Sequence, residues 1–143
     1  MNNLVELTEL IIKRLVNDSD SVSVKEFESD EDNTILIEVM VSADDMPKVI
    51  GHSGRTINSI RTIVQAASFN QDNKLVKDSE SVSVKEFESD EDNTILIEVM
   101  VSSEDMPKVI GHGGKTINSI RTIVQAASFN MDNKLVKINV DSY

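Results

Sequence analysis

The sequence predicts an α+β fold built from two similar units, and three observations lead to this class. Residues 18–77 align with residues 78–137 without a gap, and 54 of the 60 positions are identical. Each copy contains runs with apolar side chains at alternate positions, which are typical of strands. Each copy also contains runs with apolar side chains three and four residues apart, which are typical of helices. We therefore expect two units, each a three-stranded sheet packed on helices.

The N-terminal segment 1–17 occurs only once and predicts an amphipathic helix. Leu4, Leu7, Ile11 and Leu15 recur at steps of three and four residues, which places them on one helical face. Because a single copy of this helix cannot belong to both units, the second unit is predicted to lack its leading helix.

Two strands are predicted after this helix in each copy. Val22 and Val24 alternate within a first strand at Ser21–Phe27, and the run TILIEVMV forms a stronger second strand. The inward positions of the second strand are Ile35, Ile37, Val39 and Val41, and its second copy is Ile95–Val101. The acidic run Glu26–Asn33 between the strands predicts a solvated turn.

A short helix, a glycine-framed loop and a longer helix are predicted next. Ser42 and Asp45 resemble a capping box, and Pro47 is tolerated in the first turn of the short helix. Gly51 ends that helix, and apolar spacing predicts a second helix over Arg55–Ser68.

The last predicted strand decides how the two units are divided. It spans Asn73–Lys77 in the first copy and continues as Lys134–Val140 in the second. We expect one domain at 1–77 and a second unit at 78–143. Without its own helix, the second unit must be covered by the first copy, pair with another chain, or remain loosely folded.

Composition limits the class of function. The chain has 143 residues, no cysteine and a formal net charge of -11, so disulfides, thiolate metal sites and a broad basic phosphate-binding face are all disfavoured. The N-terminus lacks the features of a signal peptide, and no apolar run has membrane-spanning length. These features predict a cytoplasmic protein that does not bind membranes.

The stretch VIGHSGRTINSI, residues 49–60, has the chemistry of a phosphate grip. Gly51 and Gly54 leave the backbone bare, so another backbone can approach closely. The first amides of the following helix lack intrahelical acceptors and favour an anion, and Arg55 adds a cation. His52 can donate a hydrogen bond. The second copy reads VIGHGGKTINSI, residues 109–120.

This stretch, following a strand and a capped short helix and preceding another strand, resembles the KH (K homology) domain of type II order. The whole 83-residue core that remains after removing one copy resembles the small single-KH RNA-binding proteins of bacteria. The resemblance implies that the GxxG loop grips the sugar–phosphate backbone of single-stranded RNA, with about four nucleotides in an adjoining groove. It also implies groove walls from the short helix, the longer helix and the strong strand.

By this resemblance the RNA-binding residues are expected in both copies. They are Gly51, His52, Ser53, Gly54, Arg55 and Lys48, with Gly111, His112, Gly113, Gly114, Lys115 and Lys108. The variable pair of the loop is His-Ser or His-Gly, where the family often has lysine or arginine. No aromatic residue lies in either loop, so stacking is not expected to be the mechanism.

Other chemistries have weaker support. The two histidines have no cysteine partners or HxxxH spacing, and Gly113 replaces Ser53, so we expect no metal, no cofactor and no enzyme. The alternative that stays open is a structural role with little RNA affinity. It would act through homodimers, through domain swapping favoured by the repeat, or through a partner protein with its own KH domain.

Overall fold

The computed structural model describes residues 3–131 and 133–143, so the first two residues of the predicted N-terminal segment lie outside the described residues. The elements of the first unit are α1 (Asn3–Leu15), β1 (Ser23–Glu28), β2 (Ile35–Met40), α2 (Met46–Ile50) and α3 (Arg55–Ser68). Those of the second unit are β3 (Ser83–Glu88), β4 (Thr94–Val101), α4 (Met106–Ile110), α5 (Lys115–Met131) and β5 (Leu135–Ser142). No helix among the described residues has the length and apolar character needed to cross a membrane.

Each of the two sheets begins with the same kind of hairpin, and the sheets differ in whether a third strand is present. β1 pairs antiparallel with β2, and β3 pairs antiparallel with β4 in the same register. In the second unit, β5 adds parallel to β4, with Ile97 opposite Ile138. The α+β class, the two units and the absence of a leading helix from the second unit are confirmed.

The predicted strand Asn73–Lys77 is wrong, so the first unit has a two-stranded sheet instead of three strands. The copy of this segment in the second unit continues into Ile138, which lies in the core and is only 5% exposed. In the first copy the matching position is Asp78, which cannot fill an apolar core. The segment instead leads into the second unit.

The single N-terminal helix completes the first core. Ile12 and Leu15 of α1 are fully buried and pack with Ile60 and Ile63 of α3. Ile123 of α5 enters the same cluster, because α3 and α5 pack side by side. The face of the second unit that lacks a leading helix is thus covered by the first copy, which is the first of the three arrangements that the sequence left open.

The second core lies between the three-stranded sheet and α5. Val101, Val109, Ile117 and Ile138 are its buried members. The side chain of Asn130 at the end of α5 donates a hydrogen bond to the carbonyl of Leu15, over 2.7 Å. This bond ties the end of α1 to the second unit.

Candidate nucleic-acid interface

The two glycine-framed loops have the same backbone geometry. In the first loop, Gly51–Gly54, both glycines have positive φ, +78° and +77°. A Cβ atom at Gly51 would lie 2.3 Å from Oγ1 and 2.8 Å from the backbone nitrogen of Thr56. A Cβ at Gly54 would meet only the side chain of Asn58, at 3.7 Å. Glycine is therefore required for space at Gly51 and for conformation at Gly54.

Alanine substitutions should separate these two requirements. Gly54→Ala is expected to lower the free energy of unfolding by about 1 kcal/mol, the cost of a positive φ. Gly51→Ala should cost roughly 2 kcal/mol more, because its Cβ meets backbone that cannot move aside cheaply. Urea denaturation of both variants measures the difference. Equal losses would contradict this loop geometry.

The middle of each loop has two backbone N–H groups with no backbone acceptor among the described residues. Ser53 has φ +56°, and a Cβ at the matching Gly113 would meet nothing within 4 Å. The Gly54 N–H bonds to the Gly51 carbonyl, and the Arg55 N–H bonds to the His52 carbonyl. Within the part of the chain that the structure describes, no backbone acceptor takes the N–H groups of His52 and Ser53. Both groups are open to an added acceptor.

The predicted cations fall into two groups. The side chains of Arg55 and Lys115 are exposed beside their loops and form no ion pair within the described residues. Lys48 lies 3.5 Å from the carboxylate of Asp45, and the matching Lys108 pair is 3.7 Å apart. Among the described residues, Arg55 and Lys115 thus keep unpaired charges, whereas Lys48 and Lys108 are partly neutralised.

Asp45 anchors the chain that enters the first unit. Its buried carboxylate accepts the N–H groups of Asn17 and Asp18, over 3.1 and 3.0 Å, and the hydroxyl of Ser42. The two backbone N–H groups, Asp18 first, hold the pKa of this carboxyl below its usual range. The expected capping box is therefore wrong: Ser42 makes no capping bond, and Asp45 binds residues before β1.

Asp105 performs the same task at the junction of the units. Its carboxylate accepts the N–H groups of Lys77 and Asp78, over 3.0 and 2.9 Å, and the hydroxyl of Ser102. Burial opposes ionisation, but these bonds together lower the pKa of the Asp105 carboxyl. Lys77 and Asp78 thus occupy the place that the end of the N-terminal segment takes in the first unit, which explains why this segment does not form a strand.

A cavity of about 540 Å³ lies beside the first loop and is bounded by the second unit. One wall contains Lys48, His52 and Arg55, and the other contains Arg121 and Phe129 of α5. Sequence reasoning missed this wall, since nothing in the sequence shows that α5 faces a loop so far away along the chain. No aromatic residue lies within either loop, but Phe129 of α5 is half-exposed on the cavity wall.

Among residues 3–131 and 133–143, no three histidine, cysteine, aspartate or glutamate side chains are grouped to hold a metal ion. The two histidines lie in separate loops, and each is exposed.

Comparisons with known proteins give a family match for each half of the chain. The family model described as "KhpA/KhpB, KH domain" matches twice, at residues 5–74 and 72–140. The RNA-binding protein KhpA of Clostridium perfringens is 44% identical over 71 residues, which cover 50% of this chain and 92% of that protein.

Two further relatives carry the same name. The RNA-binding protein KhpA of Caldanaerobacter subterraneus is 39% identical over 71 residues, with 50% and 92% coverage. That of Thermotoga maritima is 34% identical over 80 residues, with 56% and 93% coverage. No solved structure gives a significant match. About half of this chain spans at least 92% of each of these three relatives, so the length of each corresponds to one unit.

Proposed function

This chain belongs to the KhpA/KhpB family of KH domains, and we propose on that basis that it binds single-stranded RNA and catalyses no reaction. The related proteins are named as RNA-binding proteins. We further propose that the two loops grip the sugar–phosphate backbone, and that the protein acts in the cytoplasm.

The observation that carries this proposal is the backbone of the first loop. Gly51 has no room for a side chain, and the N–H groups of His52 and Ser53 have no backbone acceptor in the described chain. A phosphate oxygen can accept from such groups. Arg55, two residues after Ser53, is exposed and forms no ion pair within the described residues. The bare position at Gly51, the two N–H groups and the Arg55 cation lie within five residues. This arrangement suits a single phosphodiester group and does not act as an extended basic face.

The first loop is proposed as the main site. The cavity beside it is open to solvent and is lined by residues of both units. Arg121 can add a second phosphate contact, and Phe129 offers a face on which a base can stack. With few cations and a net charge of -11, binding should be weak and only mildly dependent on salt.

Assembly is the second candidate, and the packing of α3 on α5 bears on it. These helices follow the two loops and cover each other within one chain, with Ile123 in the core of the first unit. The faces of α3 and α5 through which two separate molecules could pair are thus already covered within one chain. We therefore place RNA binding ahead of homodimerisation, domain swapping or pairing with another KH protein.

Placing carboxylates in the loops tests the proposal. Changing His52 and Ser53 to Asp should repel phosphate and lower RNA affinity at least about tenfold. The same change at His112 and Gly113 is the matched control and should have a smaller effect. Fluorescence anisotropy with a labelled single-stranded RNA measures affinity, and light scattering measures the mass.

The outcomes separate the two candidates. Unchanged RNA affinity after the change in both loops would show that the loops do not grip RNA. A parent chain that forms dimers but never binds RNA would establish assembly as the function. Circular dichroism of each variant shows that the fold is retained, which is expected because these four positions are exposed.

A further inference from the structure

Strands β2 and β4 have the same residues, but only β4 has a neighbour on both sides. Thr94 and Val101 at the ends of β4 are 8% and 2% exposed, whereas the matching Thr34 is exposed and Val41 is half-buried. Because the two strands pair with identical hairpin partners, the difference shows what β5 contributes. The second side of β2 is an open edge.

Side chains of α5 hold β5 along its outer edge. Gln125 accepts the N–H of Val136, over 2.9 Å, and donates to the carbonyl of Lys134, over 2.8 Å. Arg121 donates to the carbonyl of Ile138, over 3.0 Å. The strand is thus bonded by β4 on one side and by helical side chains on the other.

The first unit contains the same helical side chains without a strand to bind. Gln65 donates to the hydroxyl of Ser68, and that hydroxyl donates to the carbonyl of Gln65. Arg61 donates to the side chain of Asn58. The matching Ser128 instead donates to the β5 segment, over 2.8 Å. An empty copy of the β5 site therefore lies between β2 and α3.

We propose that this empty position, the β2–α3 edge, docks an extended peptide segment of a partner protein, which adds parallel to β2. Its backbone would pair with the groups of β2 that face the open edge. In β4 the equivalent edge receives the N–H of Leu135 at Asn93 and that of Tyr143 at Val101. By this pattern the N–H groups of Ile35, Ile37 and Val39 are the free donors.

The chemistry of the filled site defines the segment that fits. Val136, Ile138 and Val140 of β5 face the core at alternate positions. Lys137 between them pairs with Glu91 in the acidic turn. The matching Glu31 is exposed and makes no ion pair within the described chain. The partner segment therefore has apolar side chains at alternate positions and a basic side chain among them.

A second copy of this chain fits the edge less well. Each molecule of this chain has one strand of the β5 type, and that strand already pairs with the β4 of the same molecule. Moving it to the β2 of another copy would leave an identical edge open and gain no new contacts. Antiparallel pairing of two β2 edges would bring together two chains that each have a net charge of -11.

Two peptides from the chain itself provide the test and its control. KLVKINVDSY, residues 134–143, has the three alternating apolar positions, and KLVKDSESVS, residues 74–83, keeps the first as Val76 and replaces the other two with Asp78 and Glu80. Fluorescence anisotropy with the full chain should show saturable binding of the first peptide and at least about tenfold weaker binding of the second. Gln65→Ala combined with Ser68→Ala should weaken the first peptide about tenfold. Ser128→Ala, at the edge that β5 fills, should leave the affinity unchanged.

Nuclear magnetic resonance reports the position and direction of the added strand. The amide protons of Ile35, Ile37 and Val39 should gain protection from exchange. A spin label on the N-terminus of the peptide should broaden the signal of Thr34 more than that of Met40, as parallel pairing requires. Equal affinity for both peptides, unchanged β2 amides, or β2 amides already protected in a dimer of the chain alone would each overturn the proposal.

Discussion

Deletion of residues 18–77 is expected to leave a chain of 143 − 60 = 83 residues that folds cooperatively into one complete unit. The junction joins Asn17 to Asp78, which restores the sequence that now enters the first unit at Asp18. The amides of these two residues then meet Asp105, as Lys77 and Asp78 do now. Helix α1 can pack on α5 through Ile120 and Ile123, which match Ile60 and Ile63 on α3.

Three other deletions serve as controls. Removing 78–137 should give nearly the same protein, since the two products differ only at the six positions where the copies differ. Residues 1–77 alone lack α5, whose Ile123 packs in the core of the first unit, and burying one such side chain is worth roughly 1.5–3 kcal/mol. Residues 78–143 alone lack α1. Both truncated chains are expected to be largely unfolded, because a small domain has only about 5–15 kcal/mol of stability.

Thermal unfolding followed by circular dichroism compares the four products. A molten 83-residue chain would contradict the view that the repeat is an insertion into a complete domain. A folded 78–143 would show that α1 is dispensable. The division of the chain at residues 77 and 78 stays a prediction until this comparison is made.

Asp105→Asn is expected to lower the free energy of unfolding by about 2–3 kcal/mol at pH 7. The amides of Lys77 and Asp78 would lose an anionic acceptor, and the amide nitrogen of the new side chain cannot accept from either of them. The neighbouring exposed Glu104→Gln removes the same charge at the surface and should change stability by less than about 0.5 kcal/mol.

The difference in stability between the parent and this variant should depend on pH, because the pKa of Asp105 is lowered in the folded parent. A carboxyl whose pKa is lower in the folded state contributes stability in full above its unfolded pKa of about 4. That contribution is lost as the pH falls through the lower, folded value. The difference in stability between parent and variant should therefore be largest near neutral pH and shrink below about pH 4. Urea denaturation between pH 7 and pH 2.5 measures it, and a difference that stays constant would contradict the assigned role.

The elements that depend on local pattern can be predicted well. The sequence predicts α3 at Arg55–Ser68 and the helix has those bounds, since apolar spacing and a preceding glycine define a helix locally. The N-terminal helix, the strong strand and the fold class are likewise confirmed. The KH resemblance is confirmed by the family to which both units match. The roles of the loop residues in RNA binding remain predictions.

The wrong strand at Asn73–Lys77 and the unpredicted wall beside the first loop have a common physical origin. Asn73–Lys77 and the start of β5 have nearly the same sequence, yet only the second is a strand. Two factors decide whether the segment forms a strand. One is the residues that follow it, and the other is the Asp105 carboxylate, which binds the amides of Lys77 and Asp78. Local sequence does not report such distant acceptors. For the same reason the wall formed by Arg121 and Phe129 opposite the first loop could not be predicted.

Two GxxG loops, one leading helix and a repeated strand–strand–helix–helix pattern can all be read from the sequence alone. These features depend on residue type and spacing within a few turns, so they can be derived without coordinates. How one α1 and one β5 are divided between two units is visible only in the folded chain: α1 joins the first unit, β5 joins the second, and α3 packs on α5. That division depends on which apolar faces can be buried together, and burial is a property of the whole folded chain.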